Sequence, residues 1–164
     1  MLPEIGDFGL VKMNGEAGRL IRIGQWLNGD KFADYEHAVI YVGGDQIVEA
    51  EPGGAKLSPV SRYENILWST GWVDVTDAQR RDIAHTALGL VGTPYSFADY
   101  AAIAAHTLHV PGNSLLKRYV ASSKHMICSQ LVDYCYRVND AELFHDGRWP
   151  GYVTPGCLYS LRPA

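Results

Sequence analysis

Apolar residues recur along this 164-residue chain with two periods, and the changes of period mark out its elements. Residues 7–12 predict a short strand. Residues 15–27 carry Leu20, Ile23, Gly24 and Leu27 at helical spacing beside Trp26, which predicts a packed helix ended by Asn28, Gly29 and Asp30. Residues 31–36 read as loop. At His37 the pattern becomes β: residues 37–42 are β-branched and aromatic, Gly43-Gly44-Asp45 signals a turn, and residues 46–50 give a second strand. Loop length sets the register of this hairpin. A two-residue loop at Gly43-Gly44 turns Glu49 away from His37. A three-residue loop, Gly43-Gly44-Asp45, pairs Val42 with Gln46, sets His37 opposite Glu51 and puts Glu49 diagonally across on the face of His37, Val39 and Tyr41. Ala38, Ile40 and Val42 then take the other face. The glycines supply positive φ cheaply and Asp tolerates it, so the three-residue loop is expected.

Beyond the turn at residues 52–54, residues 55–58 predict a third strand and residues 66–75 one or two more, with Trp68 and Trp72 as packing anchors. Thr76 and Gln79 have capping-box spacing, and Ile83, Ala84, Ala87, Leu88 and Val91 form an apolar stripe on the helix that follows. Residues 97–108 predict a buried helix and residues 114–120 a short one. Across residues 126–138, Cys128, Leu131, Val132 and Cys135 share one helical face, while Gln130, Asp133 and Arg137 fall towards the other. Ser122 and Ser123 can cap its start. The tail is turn-rich, with a final strand expected around residues 158–161.

Composition narrows the function. Fourteen Lys and Arg against eighteen Asp and Glu give a net charge of -4, which argues against a nucleic-acid surface. No apolar run reaches transmembrane length, and no signal peptide is read at the N-terminus. The expected picture is one domain over residues 1–164, made in the cytoplasm. Cys128 and Cys135 lie about 10 Å apart along one helix, too far to bridge, so a disulfide scaffold is not expected.

The candidate chemistry starts at Cys128. A helix N-terminus carries unpaired N–H groups and partial positive charge, and both favour a thiolate. Taken alone, Cys128 reads as a core cysteine, while His37 could equally be a surface histidine and Glu49 a solvated carboxylate. His125, one turn before Cys128, is a rival base. His106 and His109 share a helix face, but no further metal ligand accompanies them. Cys135 reads as core, Glu36, Asp45 and Glu51 as solvated (Glu51 being the fallback for Glu49), and Asp133 with Arg137 as an exposed i,i+4 pair.

Four segments together resemble the NlpC-type cell-wall peptidases, which are papain-like cysteine hydrolases. His37-Ala-Val-Ile-Tyr-Val-Gly-Gly-Asp-Gln-Ile-Val-Glu49 resembles their histidine hairpin, with Glu49 at the place of the polar orienting residue. Gly92-Thr-Pro-Tyr95 resembles their Gly-x-Pro-Tyr element, Cys128-Ser-Gln-Leu-Val132 their nucleophile helix, and Thr154-Pro-Gly-Cys-Leu158 their Pro-Gly-Asp-Leu segment. The hairpin precedes the cysteine helix, as in the circularly permuted branch. Two positions depart from the pattern: Ser96-Phe97-Ala98 replaces a Gly-Gly, and Ile127 stands where an Asp often precedes the nucleophile. The resemblance implies an α+β, papain-like fold, with a small, barrel-like antiparallel sheet packed against helices in permuted order. It implies amide hydrolysis in peptidoglycan peptides, with Cys128 as nucleophile, His37 as base and Glu49 as orienter. Tyr95 would wall the cleft, and Ser129 and Tyr41 would be further substrate contacts. The Cys128 N–H is a candidate oxyanion donor. No cofactor and no metal is expected. The expected partner is a peptide or acyl substrate derived from the cell wall, with no nucleic acid, and a larger assembly such as a phage virion could carry the chain. A virion, a secretion system or lysis would deliver it to a wall. A lipid acyltransferase or thioesterase using the same thiol, and a catalytically silent structural module, are the rival readings.

Overall fold

The computed structural model describes residues 2–13, 34–51, 53–94, 127–148 and 153–164. The helices expected over residues 15–27, 97–108 and 114–120 lie outside the described residues. So do Tyr95, His106, His109, His125, Ser122 and Ser123.

The architecture is α+β. Five strands, β1 (Phe8–Val11), β2 (His37–Gly43), β3 (Gln46–Glu51), β4 (Gly54–Pro59) and β5 (Ile66–Trp68), form one antiparallel sheet in the order β4-β3-β2-β1-β5. Among the described residues β4 and β5 are its edges, so the sheet is not closed into the expected barrel. Residues 66–75 yield one strand, after which the chain turns through Ser69 and Trp72.

The β2–β3 hairpin reaches the expected register by another route. Val39 pairs with Glu49, Ile40 with Val48 and Tyr41 with Ile47, the alignment that sets His37 opposite Glu51. The loop itself has two residues, Gly44 and Asp45, with Gly43 pairing Gln46 and the register shifting between Tyr41 and Gly43. Positive φ at Gly44 (59°) and Asp45 (57°) suits such a tight turn, and the bulge adds the residue that the third loop position would have supplied.

Three helices follow: α1 (Asp77–Gly89), α2 (Cys128–Arg137) and α3 (Pro155–Tyr159). The α1 start carries the expected capping box, with Thr76 Oγ1 accepting from Gln79 N and Thr76 N donating to Gln79 Oε1. Helices α1 and α2 pack on one sheet face, where Phe8, Leu10, Ala38, Ile40, Val48 and Ala50 meet Ile83, Ala87, Leu131, Val132 and Cys135. Trp72 sets its ring edge-on to Phe8 at 5.7 Å. The opposite face buries a smaller cluster of Val11, Val39 and Ile47 under Tyr41, Tyr63, Ile66 and Trp68. Gly9 is required there, because a Cβ would come within 2.4 Å of Ile66 and 2.7 Å of Trp68.

Four expectations are corrected. Leu88 and Val91 are 42% and 45% exposed, because α1 buries only the narrow stripe of Ile83, Ala84 and Ala87 and ends at Gly89, before Val91. Asp133 is buried, 3.7 Å from the exposed Arg137, so the pair is not a surface one; burial raises its carboxyl pKa above the usual range. Glu36 is buried as well, accepting from Met13 N at 2.7 Å. The expected final strand is helix α3, capped by Thr154 Oγ1 on Cys157 N with Pro155 at its first position.

Candidate active site

Cys128 is the first residue of α2, following the extended N-cap Ile127. The helix start is fastened from two sides. Ser129 Oγ donates to the carbonyl of Val153 at 2.6 Å, and Ile127 N donates to Gln130 Oε1 at 3.3 Å. At its far end Tyr136 OH donates to the carbonyl of Gly6 at 2.8 Å, so both ends are tied to the rest of the fold. These anchors fix where the thiol stands.

His37 opens β2 and is 4% exposed. Glu49 lies two positions along in pairing terms, opposite Val39, and is fully buried. The shared face brings His37 Nε2 to 2.8 Å from Glu49 Oε2. An ionised carboxylate only accepts, so Nε2 carries the proton. Cys128 meets the same imidazole, its side chain hydrogen-bonding His37. The structure thus links Cys128, His37 and Glu49 in one chain of contacts.

Two further residues complete the carboxylate end. Tyr63 OH donates to the same Glu49 Oε2 at 2.5 Å, and its ring lies 5.8 Å from the imidazole. Arg62 Nε stands 3.6 Å from Glu49 Oε1, an oxygen with no hydrogen bond of its own, while its Nη2 forks onto Glu51 at 2.8 and 3.1 Å. Neither residue was visible in the sequence. Both come from the short 3-10 turn Val60–Arg62 and the residue after it, where no periodicity marks a face.

The electrostatics favour charge separation. Burial alone would push the His37 pKa down, but hydrogen bonds to Cys128 and Glu49, and their negative charges, lift it well above the ordinary imidazole range. Burial alone would raise Glu49, yet hydrogen bonding from His37, Ser58 and Tyr63 and the imidazolium charge bring it from its ordinary 4.5 to about 2. A depressed carboxyl stabilises the fold above its unfolded pKa, and that contribution is lost as pH falls through the folded value. Stability should therefore decline between about pH 4.5 and 2, and decline less steeply in Glu49→Gln. Urea titrations at pH 5, 4 and 3 check this, and equal slopes for the two proteins would refute it.

His37, Glu49 and Glu51 hold ligand atoms within 4.8 Å of one another, a spacing that could take a metal ion. Positive charge is already present there. Arg62 forks onto Glu51, Lys56 pairs with Glu51 as well, and His37 Nε2 is turned to Glu49. A divalent ion would have to displace these groups, so the donor set reads as an ion-pair network.

The remaining expected contacts sit elsewhere. Ser129 is buried with its hydroxyl on Val153, so it serves the helix anchor. Tyr41 is four residues along β2 from His37, with its ring edge-on to Trp68 at 5.7 Å. Comparison with protein-family models and with curated proteins finds no match for this chain. No helix among the described residues is long and apolar enough to cross a membrane.

Proposed function

We propose that the chain is a thiol amidase of papain-like type, acting on peptide bonds of peptidoglycan stems. The observation that carries this reading is the buried contact chain from Cys128 through His37 to Glu49. His37 Nδ1 takes the Cys128 proton, and the sulfur attacks the scissile carbonyl. The α2 N-terminus, with the Cys128 N–H, faces the developing oxyanion with partial positive charge. The imidazolium then protonates the leaving amine and a thioester remains. Water, deprotonated by His37, releases the acid and regenerates the thiol. Glu49 holds the tautomer and stabilises the imidazolium throughout.

The peptide reading follows the resemblance of the motifs; beside the carboxylate lies a groove of about 790 Å³ lined by polar residues such as Lys12, Glu64 and Asn65 and by apolar ones such as Val11, Met13 and Ile66. Tyr63 and Arg62 border it and also contact Glu49. Purified protein incubated with peptidoglycan fragments and, separately, with phospholipid vesicles should yield new amino and carboxyl ends in the stem peptides by mass spectrometry. Cys128→Ala should yield none. Acyl release from the vesicles with intact peptides would transfer the site to the lipid reading, and neither product would favour the silent module.

A further inference from the structure

We infer that Tyr63 is a positioning residue for the His37 base, acting through Glu49: its phenol and the imidazole converge on one carboxylate oxygen, Oε2, at 2.5 and 2.8 Å. The inference rests on the Cys128–His37–Glu49 reading. A single hydrogen bond from His37 would leave the carboxylate able to rotate about its terminal torsion, which is broad for Glu. Two donors on one oxygen, from different parts of the chain, fix that torsion and therefore the imidazole plane. Glu49 belongs to β3, whereas Tyr63 lies beyond β4 and the following turn, so the clamp depends on tertiary structure. The ring of Tyr63 packs in the cluster with Val39 and Ile47, which holds the phenol in place. Burial, then the hydrogen bond and charge of Glu49, keep the phenol protonated far into the alkaline range. Tyr63 is therefore a donor at every working pH, whichever charge state His37 holds. Two other groups face Glu49: Arg62 Nε is 3.6 Å from the other oxygen, and Ser58 of β4 also hydrogen-bonds the carboxylate, while Tyr63 shares Oε2 with the imidazole.

The test is the pH dependence of Cys128 alkylation by iodoacetamide in the full chain, read by mass spectrometry from pH 4 to 9. Tyr63→Phe removes only the hydroxyl. Losing a charge-assisted hydrogen bond should slow Cys128 alkylation about tenfold at pH 6. It should also move the acid limb of the profile upward, because a less firmly held Glu49 stabilises the imidazolium less and the Cys128 thiolate then forms at higher pH. A purely packing role would leave the acid limb in place. Cys135, whose thiol burial pushes up to about 12 with no base among the described residues beside it to lower it, reports folding, since it should stay unlabelled in any folded variant. Should Tyr63→Phe label at Cys135, 3-fluorotyrosine at position 63, nearly isosteric and a stronger donor, should move the acid limb downward instead. An unchanged profile in the folded Phe variant, or in the fluorotyrosine protein, would overturn the role of Tyr63. Wild-type labelling no faster at Cys128 than at Cys157 would instead overturn the Cys128–His37–Glu49 reading, and this inference with it.

Discussion

Replacing His37 by alanine should slow iodoacetamide labelling of Cys128 by about tenfold to a hundredfold at pH 6, and hydrolysis by about a hundredfold or more. The two figures differ for a physical reason. Alkylation needs only the thiolate, and a thiolate formed at lower pKa is intrinsically a weaker nucleophile, which offsets part of the loss. Hydrolysis also needs His37 to protonate the leaving amine, and alanine removes that second role. The other thiols serve as internal references. Burial pushes the Cys135 thiol up to about 12, so it should remain inert in the folded protein. Cys157 is half-buried, with its backbone N–H on Thr154 Oγ1 at 3.1 Å and the hydroxyl of Thr154 3.3 Å from its sulfur. Peptide mapping after timed labelling separates the three rates. Equal labelling of Cys128, Cys135 and Cys157 in the wild type would remove Cys128 as the reactive thiol.

The parts of this site legible in the sequence are those governed by local rules. Two glycines and an Asp between β-branched runs specify a tight hairpin, and period-two alternation carries that register to His37 and Glu49. The loop differed from expectation by trading a third loop residue for a bulge, yet the sum of pairing offsets, which decides the faces, came out the same. The capping box of Thr76 and Gln79 is local in the same way. The helix α3 also had its signal, since Thr154 followed by Pro155 is an N-cap with Pro at the first helical position. The apolar Leu158 and Leu161 suggested a strand and hid it. Tyr63, Arg62 and the burial of Asp133 were not legible, because each depends on where a distant segment lies. Tyr63 is fourteen positions from the carboxylate it holds, with a strand and a 3-10 turn between them. Asp133 is buried by the packing around α2, which the helical wheel of an isolated segment cannot contain.

Asp7→Ala is expected to cost about 3–5 kcal/mol of stability, the largest effect predicted away from the chemistry. Asp7 is buried just before β1, and its carboxylate takes three hydrogen bonds: from Arg80 Nη1 at 2.6 Å, Thr70 Oγ1 at 2.7 Å and Glu4 N at 2.9 Å. Arg80 belongs to α1 and is itself mostly buried, so removing Asp7 leaves a guanidinium in a poorly solvated place. Its remaining partner, Glu4 at 3.1 Å, is largely exposed and compensates weakly. Gly6, beside Asp7, packs directly on Arg80: a Cβ there would meet the Arg80 carbonyl oxygen at 2.6 Å. The same residue's carbonyl holds Tyr136 at the end of α2. Asp7 and Gly6 thus join the start of β1 to both helices, Asp7 through Arg80 of α1 and Gly6 through Tyr136 of α2. Asp7→Asn keeps an acceptor and should cost less than Asp7→Ala, and the double change Asp7→Leu with Arg80→Met should recover much of the loss by removing both charges together. Urea unfolding at pH 7 measures all three. Below the unfolding transition, Cys128 alkylation in these variants should match the wild type, since Asp7 makes no contact with His37 or Glu49 in the hydrogen-bonding network. An Asp7→Ala protein within about 1 kcal/mol of the wild type, a change typical of solvated sites, would show that the Asp7–Arg80 pair contributes no more than a surface ion pair.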